Sequence, residues 1–112
     1  MTILVVDDSE PLHEILTAFL EEGGHTVDCA SNSRDALAIY ERGTYDVVLT
    51  DEDHPGLSGT DMAAVMLRMN PKQAIGMMST YTNLLLPTIR KPFFKGPLLQ
   101  FVEELARGAR PQ

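Results

Sequence analysis

Three short apolar runs in this chain each end at charged residues. Ile3-Leu4-Val5-Val6 runs into Asp7-Asp8, and Asp46-Val47-Val48-Leu49-Thr50 runs into Asp51. Thr88-Ile89-Arg90 is followed by Lys91-Pro92-Phe93. Between these runs, apolar residues recur at helical spacing, and the alternation predicts an α/β domain with a parallel sheet. Strands are expected over residues 2–6, 25–30, 46–50, 74–78 and 86–90. Helices are expected over 11–22, 33–42, 59–69 and 97–107.

Local signals set most of these boundaries. Ser9 is placed to cap the first helix and Pro11 falls in its first turn. Leu12, Ile15, Leu16, Phe19 and Leu20 recur at helical spacing along it, and Gly23-Gly24 stops it. In the second helix Ala36, Leu37, Ile39 and Tyr40 face inward, with Gly43 at the end. Met62, Val65, Met66 and Met69 form the stripe of the third, and they read as core rather than as cofactor contacts. The nearly continuous apolar run at 46–50 marks a central strand covered on both faces. Pro87 cannot donate to a ladder, so the fifth strand belongs at a sheet edge.

Composition narrows the function classes. At 112 residues the chain has room for one core. A formal charge of −7, with 9 scattered Lys and Arg, argues against direct nucleic-acid binding, which needs a basic face. No apolar stretch reaches the ~20 residues that span a bilayer, and no signal peptide opens the chain. One cysteine, Cys29, rules out an internal disulfide, reads as a small buried hydrophobe, and fits a reducing cytoplasm.

In open α/β folds the C-terminal ends of parallel strands share the edge where ligands bind. Asp7, Asp8, Asp51 and Lys91 would meet there. Three carboxylates and an ammonium suit a divalent metal and a phosphoryl group. His13, His25 and His54 are not at ligand spacing, and Glu52 and Asp53 read as solvated loop acids. Singly, Asp7-Asp8 is more readily a helix cap, Asp51 and Ser79 turn residues and Lys91 a solvated charge; it is their combination that reverses this.

Taken in order, these residues resemble the receiver domain of two-component response regulators. The acidic pair is Asp7-Asp8, and the phosphoacceptor motif is Asp51 with Pro55-Gly56 and then Gly59. The hydroxyl residue ending strand four is Ser79, and Lys91-Pro92-Phe93 follows strand five. The resemblance covers essentially the whole chain, 1–112, as one receiver domain. It implies a flavodoxin-like (CheY-like), doubly wound, five-stranded parallel sheet of strand order 2-1-3-4-5. It implies Asp51 as nucleophile toward a phosphohistidine, and Mg2+ held by Asp7 (through a water), Asp8, Asp51 and the backbone carbonyl of Asp53. Ser79 and Lys91 would contact the phosphoryl group, and the Lys91-Pro92 peptide would be cis. The implied partners are a sensor histidine kinase or phosphotransfer protein and an output protein of unknown identity.

The chain departs from the family between Ser79 and Lys91. Roughly ten residues are missing, about one average helix, so the family's fourth helix is absent or reduced. The usual aromatic three residues before the lysine is Thr88, Thr80 stands where a smaller residue is usual, and His54 replaces a typically apolar one. Leu84-Leu85-Leu86 either covers the sheet in place of the helix or offers a patch for a partner or a homodimer through residues 84–90. Tyr81, two beyond Ser79, is expected to shield the acyl phosphate from water.

Two other functions compete. One is a phosphorylation-independent interaction module that uses the altered 80–90 surface. The other is a phosphatase of the haloacid-dehalogenase type, suggested by Asp51-Glu52-Asp53. That family needs a longer chain and leaves Asp7-Asp8 unexplained.

Overall fold

The computed structural model describes residues 1–80 and 85–108. Five parallel strands, β1 (Thr2–Val6), β2 (Thr26–Ala30), β3 (Val47–Asp51), β4 (Ala74–Ser79) and β5 (Thr88–Arg90), lie in the order β2-β1-β3-β4-β5. The helices are α1 (Glu10–Glu22), α2 (Ser33–Arg42), α3 (Gly59–Met69) and α4 (Lys95–Ala106). The expected fold class and strand order both hold.

The period-two alternation of β1 distributes the core between the two faces of the sheet. Ile3 and Val5 pack with Leu16 and Leu20 of α1 and with Leu98, Phe101, Val102 and Leu105 of α4. Leu4 and Val6 face the other way, against Ala36 and Tyr40 of α2 and Met62, Ala63 and Met66 of α3. Each fully buried Leu or Met side chain contributes about 1.5–3 kcal/mol relative to exposure. Gly76 in β4 lies on the first of these faces: a Cβ there would sit 2.6 Å from both Phe101 and Leu105, so its lack of a side chain lets α4 lie close to the sheet.

Side-chain caps open α1, α2 and α3, whereas α4, with Phe94 at its cap position, has none. The Ser9 side chain accepts from the Leu12 amide, and Pro11 sits in the first turn of α1. Asn32 caps α2 and Ser58 caps α3. Two stripe residues do not face inward: Ile15 is 49% exposed and Met69 46%. Both lie at the margin of an apolar stripe that is wider than the contact its helix makes. Cys29 is only partly buried, against the core, and that burial raises its thiol pKa.

Boundaries shift by one or two residues. β2 begins at Thr26, β3 extends to Asp51, α4 starts at Lys95, and β5 is only Thr88–Arg90. Pro87 precedes β5 rather than lying inside it, and its carbonyl accepts the Met77 amide at 2.8 Å. β5 is an edge strand, as Pro87 required. Among the described residues no helix lies between β4 and β5, in keeping with a shortened family helix. Tyr81 and Leu84 fall outside the described residues. No described helix is long and apolar enough to cross a membrane.

This topology places the site. The chain runs from β1 outward to β2, then returns across β1 to β3, so the strand order reverses between β1 and β3. A crevice opens beyond the C-terminal ends of two strands at such a reversal. Asp7 follows β1 there and Asp51 ends β3.

Candidate functional site

One oxygen from each of Asp7, Asp8 and Asp51 lies within 4.8 Å of the others. Their environments differ. Asp7 is buried, Asp51 half-buried and Asp8 exposed. Asp7 Oδ1 accepts the Ser9 amide at 2.8 Å, so the residue that caps α1 also holds one carboxylate of the cluster. His13 Nε2 bonds the Asp7 carbonyl, a contact the ligand-spacing argument had no means of finding.

Lys91 Nζ lies 3.6 Å from Asp51 Oδ2 and 3.7 Å from Asp7 Oδ2. The single ammonium thus spans the ends of β1 and β3 from beyond β5. Its backbone amide donates to the Ser79 carbonyl at 2.8 Å, and the Lys91-Pro92 peptide is cis as expected. Ser79 is one residue past Met78, the β4 register partner of Asp51, which brings it to the same edge.

Burial pushes the Asp51 carboxyl above the ordinary carboxylate range, and the charge of Asp7 adds to this. Lys91 and the Glu52 amide, which donates to Asp51 Oδ1 at 2.8 Å, oppose the rise without cancelling it. Asp7 Oδ2 is buried and has no hydrogen-bond partner. A buried oxygen left unsatisfied costs about 1–3 kcal/mol, and one shared cation would satisfy this atom and relieve the repulsion among the three carboxylates. Three hard oxygen donors fit Mg2+, so the residues present suit the metal that the resemblance implied.

The main chain around Asp51 is tightly held. The Thr50 hydroxyl donates to the Asp51 carbonyl at 2.8 Å, and His54 Nε2 lies 3.1 Å from the same hydroxyl oxygen. With the Thr50 proton committed to the carbonyl, the His54 ring donates to Thr50. His54 is buried and its Nδ1 has no partner. Gly59, which opens α3, packs on the Asp51 carbonyl so closely that a Cβ would collide with it. Ser33, buried at the start of α2, holds the loop after β3: it accepts the Leu57 amide at 2.6 Å and donates to the Pro55 carbonyl at 3.3 Å.

Asp53 is exposed on that loop, as expected, but Glu52 is not a solvated acid. Its carboxylate accepts the Thr60 amide at 3.1 Å and the Thr60 hydroxyl at 2.5 Å. Burial works to raise the Glu52 pKa, yet these bonds, with Ser58 and His54, outweigh it and hold the group below its ordinary value. Thr88 has no ring to offer, and its hydroxyl donates to the Leu86 carbonyl at 3.1 Å. Phe93 packs against the core, and its neighbour Phe94 is 75% exposed.

Known proteins share this arrangement. The sequence pattern of the response regulator receiver domain matches residues 3–93. The chain is 35% identical over 80 residues to the sensory/regulatory protein RpfC of Xanthomonas campestris, covering 71% of this chain and 11% of that protein. It is 39% identical over 66 residues to the transcriptional regulatory protein TcrA of Mycobacterium tuberculosis, covering 59% and 26%. A response regulator receiver protein of Anaeromyxobacter is 31% identical over 78 residues, covering 70% and 33%. The match therefore spans a third or less of these curated relatives. The crystal structure of the response regulator TrrA of Thermotoga maritima, in complex with Mg2+ and BeF, is 30% identical, with a TM-score of 0.85 over 93% of this chain and 97% of that one. A receiver domain from Clostridium thermocellum superposes with a TM-score of 0.86 at 26% identity, over 96% and 94%. With the fold, the acidic cluster and the family pattern in agreement over most of its length, the chain belongs to the response regulator receiver domain family of two-component systems.

Proposed function

We propose that residues 1–112 act as a Mg2+-dependent phosphoacceptor, taking a phosphoryl group from the phosphohistidine of a sensor kinase or phosphotransfer protein onto Asp51. The observation that carries this reading is the placement of Lys91 Nζ, 3.6 Å from Asp51 and 3.7 Å from Asp7, beside three clustered carboxylates. TrrA, similar over nearly the whole chain, was crystallised with Mg2+ and BeF.

In the proposed reaction an Asp51 carboxylate oxygen forms a bond to phosphorus as the phosphorus–nitrogen bond to the donor imidazole breaks. Phosphoryl transfer of this kind depends on positioning and charge stabilisation rather than on a separate acid or base. The raised pKa of Asp51 marks a carboxylate poorly solvated by water and correspondingly reactive. Lys91 would stabilise charge that develops on the phosphoryl oxygens, and the Ser79 hydroxyl would donate to one of them. Mg2+, held by Asp8, Asp51, the Asp53 carbonyl and, through a water, Asp7, would screen the repulsion between the carboxylate and the incoming phosphoryl group. Beyond its own phosphorylation and dephosphorylation the domain would catalyse nothing, and it would signal by binding an output partner.

Residues 85–90 support a second reading, a module that binds a partner without phosphorylation. Leu85 is 71% exposed there, and Thr88 cannot provide the aromatic coupling. Intact-mass measurement after incubation with acetyl phosphate and Mg2+ separates the two. One phosphoryl adduct on the wild type, absent from Asp51→Asn and absent in chelator, supports the phosphoacceptor. A folded, Mg2+-binding protein that gains no adduct supports the second reading.

A further inference from the structure

An α-helix opens with four amides that have no partner inside the helix. In α3 the first of them, from Gly59, donates to the Glu52 carbonyl at 2.8 Å. The second, from Thr60, donates to the Glu52 carboxylate at 3.1 Å, and the Thr60 hydroxyl donates to the other carboxylate oxygen at 2.5 Å. The third, from Asp61, goes to Ser58, the ordinary cap, at 3.1 Å. Two of these amides are thus met by one residue that precedes Gly59 by seven positions and Thr60 by eight. Its negative charge also sits favourably at the positive end of the α3 dipole.

Glu52 has a further bond on its other side. Its own amide donates to Asp51 Oδ1 at 2.8 Å. The carbonyl and carboxylate of Glu52 are both bonded to the first turn of α3, which anchors the Glu52 end of the Asp51–Glu52 peptide. The Thr50 hydroxyl holds the Asp51 carbonyl, on the other side of that peptide, at 2.8 Å. The Asp51 carboxylate is therefore oriented, through Oδ1, by a donor whose own residue is clamped to a helix.

We propose that Glu52 is a positioning residue: its carboxylate, locked on Thr60, fixes the amide that aims the Asp51 carboxylate. This rests on the phosphoacceptor reading for its consequence but not for its geometry. The clamp needs an acceptor for the Thr60 amide and a second polar group for the Thr60 hydroxyl, both at the end of a two-carbon arm. Glutamine retains the arm and an acceptor for the Thr60 amide, whereas alanine retains neither. Both substitutions remove the same negative charge beside Asp51, so a difference between them reports positioning rather than charge.

The test compares wild type, Glu52→Gln and Glu52→Ala by two measurements on the whole chain. The first is the rate of adduct formation with acetyl phosphate and Mg2+. The second is hydrogen exchange of the residue-52 amide, with the Val48 amide of β3 as the control for global opening. Misaligned reacting groups cost large factors in rate, and Glu52→Ala is expected to slow phosphorylation about tenfold and to lose protection at residue 52 while Val48 stays protected. Glu52→Gln should fall within about twofold of wild type on both measures. Equal slowing in the two variants, or protection at residue 52 that survives in Glu52→Ala, overturns the proposal. If the wild type takes no phosphoryl group, the phosphoacceptor reading fails, and the exchange measurement still decides whether Glu52 aims Asp51.

Discussion

The Lys91 amide donates to the Ser79 carbonyl at 2.8 Å, tying the end of β4 to the lysine that leaves β5. The Lys91 ammonium then reaches back 3.6 Å to Asp51 and 3.7 Å to Asp7. One residue thereby links the edge of the sheet to its switch point.

Lys91→Ala removes the only ammonium that pairs with the cluster among the described residues. Loss of a group aimed at developing transition-state charge costs about 10²–10³ in rate. Time-resolved intact mass should show slowing of that order with an unchanged far-ultraviolet circular dichroism spectrum. A slowing of less than threefold would remove Lys91 from the proposed chemistry.

The raised pKa of Asp51 makes a prediction about stability. The folded state holds this proton more tightly than the unfolded chain, so ionisation of Asp51 favours unfolding. Its contribution is most favourable below the ordinary carboxylate value of about 3.9, and it worsens as pH rises through the raised folded value. In chelator at neutral pH, Asp51→Asn should therefore melt higher than wild type. The gap should close as the pH is lowered through the carboxylate range. A variant that melts lower at neutral pH would contradict the sign of the shift.

Mg2+ should stabilise the wild type, because the ligands are assembled only in the folded state. At a concentration about 100-fold above its Kd the linkage amounts to about 2.7 kcal/mol, which raises Tm by about 10 °C in a domain of this size. Asp8→Asn should lose most of this rise, as seen by calorimetry with and without EDTA. Equal Mg2+ shifts in both proteins would place the cation elsewhere.

Gly59→Ala drives a methyl group into the Asp51 carbonyl. Overpacking of this kind costs about 1–3 kcal/mol, measurable as a lower urea midpoint at unchanged m. Because the neighbour that must yield is the backbone of the proposed acceptor, phosphorylation should slow as well. Ala64→Gly, on an exposed face of the same helix, is the control that weakens α3 without touching the site.

Much of the fold could be read from local pattern. Ser9, Gly23 and the stripe with Leu16 and Leu20 bounded α1, because capping and amphipathic spacing act within a few residues. The continuous apolar run of β3 announced a strand covered on both faces, and Pro87 announced the edge. Ile15 and Met69 keep the helical spacing yet are exposed, because periodicity gives the direction of a helix face and not the width of what packs against it. Glu52 and His54 were missed for a related reason. Their partners, Thr60 and Thr50, are not set by any motif: the packing of α3 onto the end of β3 brings Thr60 to Glu52, and the path of the loop after β3 brings His54 back to Thr50.

By itself the sequence determined the order of elements, the sheet class and which charged groups end which strands, since those depend on spacing along a chain whose side chains alternate or recur with fixed period. Tertiary structure decided the rest: that Lys91 bridges two carboxylates from different strands, that Asp7 keeps a buried oxygen without a hydrogen-bond partner, and that Glu52 is a clamp rather than a surface charge. Distances across the sheet and burial from water arise only when elements pack, and those two quantities set the strength of every electrostatic contact in the site.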